Sequence, residues 1–401
     1  MYSTALSLTL PDIPAEQQAA LLADAPLLSL YEAFAAVPDP RSRHGQRYDL
    51  PYLLTCLVAA LLCNCNSLEA VGQWCHDQQL LLRRLFGPRD FSTPTGSLYR
   101  RLLPRLSVGH IELVLAAWVN ATRSASDEEA VALDGKAVRG AATAEHKAPH
   151  LLAFCTHASQ ETLLQVRVSE KTNEIPIAKE VLPCLPLRPR VYTADALHTH
   201  ADFMAVAHAH SGASVLTVKG NQPNLYADLT TYFSDPDTVI APFEQDCTVD
   251  RHRGRTETRS IQVSCGMNDY LASRWPLVSQ VARLTRTVTV RKTGKTTQEV
   301  VYLITDLTPI QASPRRLLDL ERGHWSIENR LHYVRDVSFG EDSSRLRSGS
   351  APQIMAALRN LAITLIHRRG SSQIAASRRR FASHPREAFT LLLQKRRPAQ
   401  Q

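Results

Sequence analysis

Near residue 130 the chain changes its periodicity, and that change restricts its fold more than any other feature. Before it, apolar residues recur at helical spacing. After it come short β-branched and apolar runs bounded by turn residues. Residues 130–133 form an apolar run ending in Asp134-Gly135-Lys136. Residues 151–156 and 163–168 flank Ser159-Gln160-Glu161, a hairpin signal. A helical stretch at 176–185 leads into a buried run at 191–194 that ends at Asp195. Residues 202–210 are helical, and a strand at 214–218 ends in Lys219-Gly220-Asn221-Gln222. The pattern is a three-strand meander followed by alternating helix and strand, which specifies an α/β sheet.

That order is the order of an RNase H-like core, although it is not unique to one. Around it the chain divides into a leader (1–27), a small helical domain (28–115), a catalytic region (125–368) carrying a β-rich insertion at about 235–312, and a tail (369–401). The helical domain contains an apolar run at 50–63, too short to span a bilayer. Ser67 is a plausible N-cap for the helix after it. The insertion shows β-branched runs at 286–290 and 299–303 around Lys292-Thr293-Gly294-Lys295. Helical spacing returns at 314–334 and 351–367.

The formal charge is +8, which favours a polyanionic partner. From Arg368 onward there are nine Lys or Arg against one acid, Glu387, so the tail carries this excess and is expected to be partly disordered. Eight cysteines, mostly in apolar runs, read as reduced thiols of a cytoplasmic protein, and none has zinc-finger spacing. No signal peptide or membrane span is expected. Neither Gly-x-Gly-x-x-Gly nor a Walker loop is present, which argues against a nucleotide-dependent small-molecule enzyme.

Carboxylates at the carboxyl ends of neighbouring strands project into the crevice where open α/β sheets bind ligands. Asp134 and Asp195 fit this placement, and their hard oxygen atoms suit Mg²⁺ or Mn²⁺. Each taken alone reads more readily as a turn cap. In the 314–334 helix, Leu317, Leu320, His324, Ile327, Leu331 and Val334 mark the core face. Glu321, Trp325, Glu328, His332 and Arg335 form the adjoining stripe. Glu328 therefore stands at the edge of a buried face, as a metal ligand or as a surface partner of Arg335 or His332. His324, Glu328 and His332 at four-residue spacing also suggest zinc, but no His-Glu-x-x-His motif supports it.

Resemblance goes further than spacing. Asp134-Gly135-Lys136-x-x-Arg139-Gly140 resembles the first catalytic segment of the ISAs1-type, or H-repeat-associated, DDE transposases. Lys171-Thr172-Asn173-Glu174-Ile175, Thr193-Ala194-Asp195-Ala196, Lys219-Gly220-Asn221-Gln222 and Gly254-Arg255-Thr256-Glu257-Thr258-Arg259 resemble later segments in the family's order. His324-Trp325-Ser326-Ile327-Glu328-Asn329 resembles the block that carries the catalytic Glu, and Pro38-Asp39-Pro40-Arg41 the associated N-terminal domain. His252-Arg253-Gly254-Arg255 is one residue longer than the family's usual His-Gly-Arg.

The resemblance implies a transposase that cuts and joins insertion-sequence ends, with Asp134, Asp195 and Glu328 holding two Mg²⁺ or Mn²⁺ ions. It implies double-stranded DNA as partner, in terminal inverted repeats and target, and a homodimer on DNA. Lys136, Arg139, Lys171, Lys219, Arg255, Arg259, Arg322 and Arg330 lie beside the catalytic segments as candidate phosphate contacts. Asn173, Asn221 and Gln222 are candidate base or phosphate contacts, and Trp325 a platform for an unpaired base or a packing residue. A silent DNA-binding relic and an RNase H-like nuclease on another substrate are the alternatives.

Overall fold

The computed structural model describes residues 29–87, 93–123, 129–169, 173–185, 190–235 and 242–395. The leader and Lys171 lie outside these residues. The described strands are β1 (Glu129–Ala137), β2 (His150–Thr156), β3 (Thr162–Val168), β4 (Arg190–Ala194), β5 (Gly212–Val218), β6 (Glu244–His252), β7 (Arg255–Ser264), β8 (Gln280–Val290) and β9 (Thr296–Thr305). They form one mixed sheet of order β3-β2-β1-β4-β5-β9-β8-β7-β6. Only β1–β4 and β4–β5 pair in parallel. The central strands are apolar because both faces are covered: β4 is buried along its whole length.

The β-rich stretch is not set apart from the sheet. β9 pairs with β5 from Val215↔Thr305 to Val218↔Tyr302, so β6–β9 continue the same sheet as an antiparallel meander. The last four residues of β9 are buried while its first five are exposed, so the hairpin ends extend past the core. The longer His252-Arg253-Gly254-Arg255 stretch is the β6–β7 turn. Arg253 and Gly254 both have positive φ, 46° and 75°, between the paired residues His252 and Arg255. Two such residues make the mirror-image turn whose twist matches a hairpin.

The helices that matter for the site are α1 (Leu50–Leu62), α2 (Val108–Ala121), α3 (Glu174–Val181), α4 (Pro314–His324), α5 (Ala351–Arg368), α6 (Ile374–Ser383) and α7 (Pro385–Leu393). Every residue of α1 except Pro51 is buried. It is apolar all round because α5, α6 and α7 pack on it from the other end of the chain. α2 and α5 then pack on β3, and one hydrophobic cluster runs from Leu30 through the sheet to Leu392.

The tail differs from its expectation. Residues 374–383 and 385–393 are helical, and Ile374, Phe381, Phe389 and Leu392 are buried. High charge density hid these apolar anchors. Much of the tail's charge is spent inside the protein. Arg378 is buried over the Phe339 ring and donates to Leu61 O (2.9 Å) and Asn66 Oδ1 (2.6 Å). Arg369 and Arg380 share Glu387, and Arg368 donates to Glu161. Among the described residues no single helix is long and apolar enough to cross a membrane.

Candidate metal centre

β1 and β4 run side by side in register as far as Leu133↔Ala194, so Asp134 and Asp195 follow a paired couple at the carboxyl end of two parallel strands. β1 does not end at Asp134 as the sequence suggests. It continues to Ala137 on its pairing with β2, from Gly135↔Leu152 to Ala137↔His150. Asp134 thus marks the point where β1 loses its parallel neighbour, which opens the crevice. Asp134 Oδ1 accepts from the Gly135 amide at 2.9 Å. Exposed Asp195 caps the short turn after it, accepting from the Leu197 amide at 3.0 Å.

The expected 314–334 helix is not regular. α4 stops at His324, Trp325 is a turn residue, and Glu328–His332 is a π-helical segment leading into Tyr333–Val337. Single π turns inside helices recur at functional sites. α4 crosses β1, β4 and β5. Gly323 makes this approach possible, since a Cβ there would overlap the His157 ring. The predicted core positions Leu317, Leu320, Ile327 and Leu331 are buried. Arg335, predicted on the stripe, is fully buried, because Glu341 neutralises it (Nη2–Oε1 2.6 Å).

This helix brings Glu328 over Asp134, with His332 between them. His332 Nδ1 lies 3.1 Å from Asp134 Oδ2 and 3.3 Å from Glu328 Oε2. One potential ligand atom from each of Asp134, Glu328 and His332 falls within 4.8 Å of the others. Asp195 is outside this tight group, and the strand register sets it beside Asp134 at the end of the neighbouring strand. The hydrogen bond from His332 holds the Glu328 carboxyl below its ordinary range, assisted by the Lys136 charge. Burial works against the charged form of His332, but Asp134 and Glu328 outweigh it and leave the imidazole above its ordinary value. His324 lies close by, its Nδ1 3.3 Å from Thr193 Oγ1. Burial lowers its pKa against the pull of both aspartates.

Behind the aspartates stands a group that sequence reasoning did not place in the site. Glu174, at the start of α3, binds His150 Nε2 (2.6 Å) on β2 and His198 Nε2 (3.1 Å) in the turn after Asp195. Its carboxylate lies over Gly135, where a Cβ would overlap it and the His150 ring. One side chain thus ties together the strand ends that carry both aspartates. The signal was available, because Glu174 sits in one of the resembling segments. Burial opposes its ionisation, yet the two histidines bring its pKa down to about 2. Its hydrogen bond to Glu174 raises His150.

Glu174 therefore contributes stability present above about pH 4.5 and lost as pH falls towards 2. His150 contributes below about pH 6.5, and this is lost as pH rises through its elevated folded value. Glu174→Gln is expected to lower stability most between roughly pH 4.5 and 6.5, by roughly 3 kcal/mol from the depression of Glu174 alone. Thermal melts of both proteins from pH 3 to 9 check this; a gap independent of pH would reject the pairing.

The expected DNA contacts separate into two groups. Arg139, Lys219, Arg255 and Arg330 are exposed. Of the rest, those within the described residues are engaged within the protein. Lys136 pairs with Asp336 at 2.6 Å. Arg259 pairs with Asp250 (2.9 Å) and Glu257 (2.7 Å), and Arg322 with Asp250 (3.0 Å). Asn173 caps α3 through Ile175 N. Asn221 and Gln222 donate to Ala196 O (2.5 Å) and Thr199 O (2.8 Å), which braces the turn after Asp195. Between the β6–β9 arm and the Glu328 helix lies a cleft of about 1010 Å³, lined by Arg253, Arg286, Arg322 and Arg330 with Trp325 and Tyr333. Trp325 is 51% exposed, and its Nε1 donates to Glu321 Oε1 at 3.0 Å, which fixes the indole edge.

The chain matches the family model described as "Transposase DDE domain" over residues 125–365, and one described as "DDE_Tnp_1-associated" over residues 31–119. The chain belongs to the DDE transposase family. Its relatives include "Putative transposase YncI" of Escherichia coli O157:H7, 25% identical over 84% of this chain and 87% of the relative. "H repeat-associated putative transposase YhhI" of Escherichia coli K12 is 23% identical over 85% of this chain and 90% of the relative. These likenesses match the H-repeat-associated group whose segments the sequence resembles.

Proposed function

We propose that this transposase cuts and joins the ends of an insertion sequence by metal-dependent phosphoryl transfer at Asp134, Asp195 and Glu328. The observation that carries the reading is the convergence of Asp134 and Glu328, from opposite ends of the catalytic region, on one crevice at the carboxyl ends of parallel strands. The order β3-β2-β1-β4-β5 supports an RNase H-like core with β6–β9 as its β-rich extension, and we assign residues 28–115, helical where described, to binding DNA ends. DDE enzymes use divalent ions. Two Mg²⁺ or Mn²⁺ ions supply Lewis-acid stabilisation of the attacking and leaving oxygens of an in-line displacement.

The residues present suit such ions. Asp134 would hold both ions, and Asp195 and Glu328 would each complete one site. Glu174 fixes the strand ends on which the aspartates stand, and Asn221 and Gln222 fix the turn after Asp195. Exposed Arg139, Lys219, Arg255 and Arg330 are the contacts we assign to DNA phosphates, which position the duplex without reading it. Two ends must be joined, so a homodimer on terminal inverted repeats and target DNA is the working form. Cleavage and joining of labelled terminal repeats, with and without Mg²⁺ or Mn²⁺, tests the reading. Binding without any metal-dependent cleavage would indicate a relic.

The cleft beside Glu328 provides a second measurement. Trp325 lies in a basic cleft with its ring exposed and its edge anchored, an arrangement suited to stacking an unpaired base. Trp325→Ala is expected to weaken binding of a frayed or single-stranded end by about 1–3 kcal/mol, with little change for a fully paired duplex. Fluorescence anisotropy on both substrates measures it. Equal losses on the two would make Trp325 a packing residue.

A further inference from the structure

A three-carboxylate site leaves one donor unused. His332 Nδ1 stands 3.1 Å from Asp134 Oδ2 and 3.3 Å from Glu328 Oε2. The side chain is 3% exposed, and among the described residues its far nitrogen, Nε2, is buried without a hydrogen-bond partner. All its polar contacts go from one nitrogen to two candidate ligands.

The spacing also fits. An octahedral ion with bonds of about 2.0–2.1 Å sets neighbouring donor atoms about 3 Å apart, and His332 Nδ1 lies near that distance from each carboxylate. The π-helical segment Glu328–His332 presents both of its end residues to Asp134.

We propose that His332 is a nitrogen ligand to the ion held by Asp134 and Glu328, which makes that site a mixed nitrogen–oxygen site selective for Mn²⁺ over Mg²⁺. The inference rests on the metal-dependent reading above. Mg²⁺ and Mn²⁺ both suit oxygen donors, but Mn²⁺ stands at the foot of the first-row series whose ions accept imidazole, so one nitrogen in the set favours Mn²⁺ of the two. The other site, completed by Asp195, has only oxygen donors from the assigned residues.

The test uses the full-length protein with Mn²⁺ alone. Pulsed EPR of bound Mn²⁺ should show nitrogen hyperfine coupling that changes when the protein is produced with ¹⁵N-labelled histidine. The coupling should vanish in His332→Gln and persist in His324→Gln and His150→Gln. His332→Gln should also weaken Mn²⁺ binding by about tenfold or more, with Mg²⁺ binding changed by no more than about twofold. The ¹⁵N arm needs no substitution, so a variant that failed to fold would not shelter the proposal.

Mn²⁺ binding that requires Asp134 and Glu328 yet lacks nitrogen coupling, or coupling that survives His332→Gln, overturns the ligand assignment and leaves the carboxylate site standing. If no bound Mn²⁺ depends on Asp134 at all, the metal-dependent reading itself falls, and the inference with it.

Discussion

Asp134→Ala is expected to reduce metal-dependent cleavage of transposon ends by on the order of a thousandfold or more. Removing the carboxylate we assign to both ions forfeits several kcal/mol of transition-state stabilisation, and each 1.36 kcal/mol is tenfold in rate. Asp195→Ala and Glu328→Ala should give losses of the same order. Folding should survive, because Asp134 is only half-buried while Asp195 and Glu328 are exposed, and Asp134 contacts His332 without bracing the core. DNA affinity should remain largely intact, since the phosphate contacts we assign lie on other residues. Single-turnover cleavage, thermal melting and anisotropy on one preparation separate these effects. Near wild-type cleavage in any one variant removes that residue from the site, whereas lost folding would make it structural.

How much of this was legible in the sequence depended on which physical signal each element carries. β1 and β4 were readable because strands covered on both faces are continuous apolar runs, and a carboxylate at the end of such a run stands out. Glu328 was not readable from periodicity, which favoured a surface ion pair; only the resembling segment singled it out. The π-helical segment left no periodic trace. For that reason the stripe of Glu321, Trp325, Glu328, His332 and Arg335 splits in the structure into buried Glu321, His332 and Arg335 and exposed Trp325 and Glu328. Lys136, Arg259 and Arg322 looked available for phosphate because nothing local in sequence announces Asp336 or Asp250 as partners. α6 and α7 were obscured by the same arginines that gave the tail its charge, one of which, Arg378, is in the core. Long-range ion pairing, more than secondary structure, is what the sequence concealed.

The strongest of these pairings makes the second large prediction. Glu341 is fully buried and holds two buried arginines at once. Arg335 meets it through Nε (3.0 Å to each oxygen) and Nη2 (2.6 Å), and Arg359 through Nη1 (3.1 Å). Arg335 Nη1 also donates to Gln165 Oε1 at 3.1 Å, and Gln165 donates to Glu112 at 2.9 Å, so the network joins the Glu328 helix to β3 and α2. Burial opposes ionisation of Glu341, but the two guanidinium groups overcome it and hold its carboxyl below the ordinary range. Glu341→Gln keeps the shape and deletes the charge, leaving two cations in a dry interior.

Breaking a buried pair from one side costs about 3–5 kcal/mol, so this variant should melt on the order of 4–6 °C lower at pH 7. The sign with pH follows from the depressed folded pKa. The stability that Glu341 contributes is present above about pH 4.5 and lost as pH falls through its folded value, so the two melting curves should converge in acid. Replacing all three groups with apolar side chains of similar size should recover much of the loss, because the desolvation cost disappears with the charges. Arg335 lies three residues beyond His332, so loosening the network should also weaken Mn²⁺ binding at Asp134 and Glu328. If Glu341→Gln melts within a degree of wild type at pH 7, water reaches these arginines, and the fold does not depend on the buried pairing.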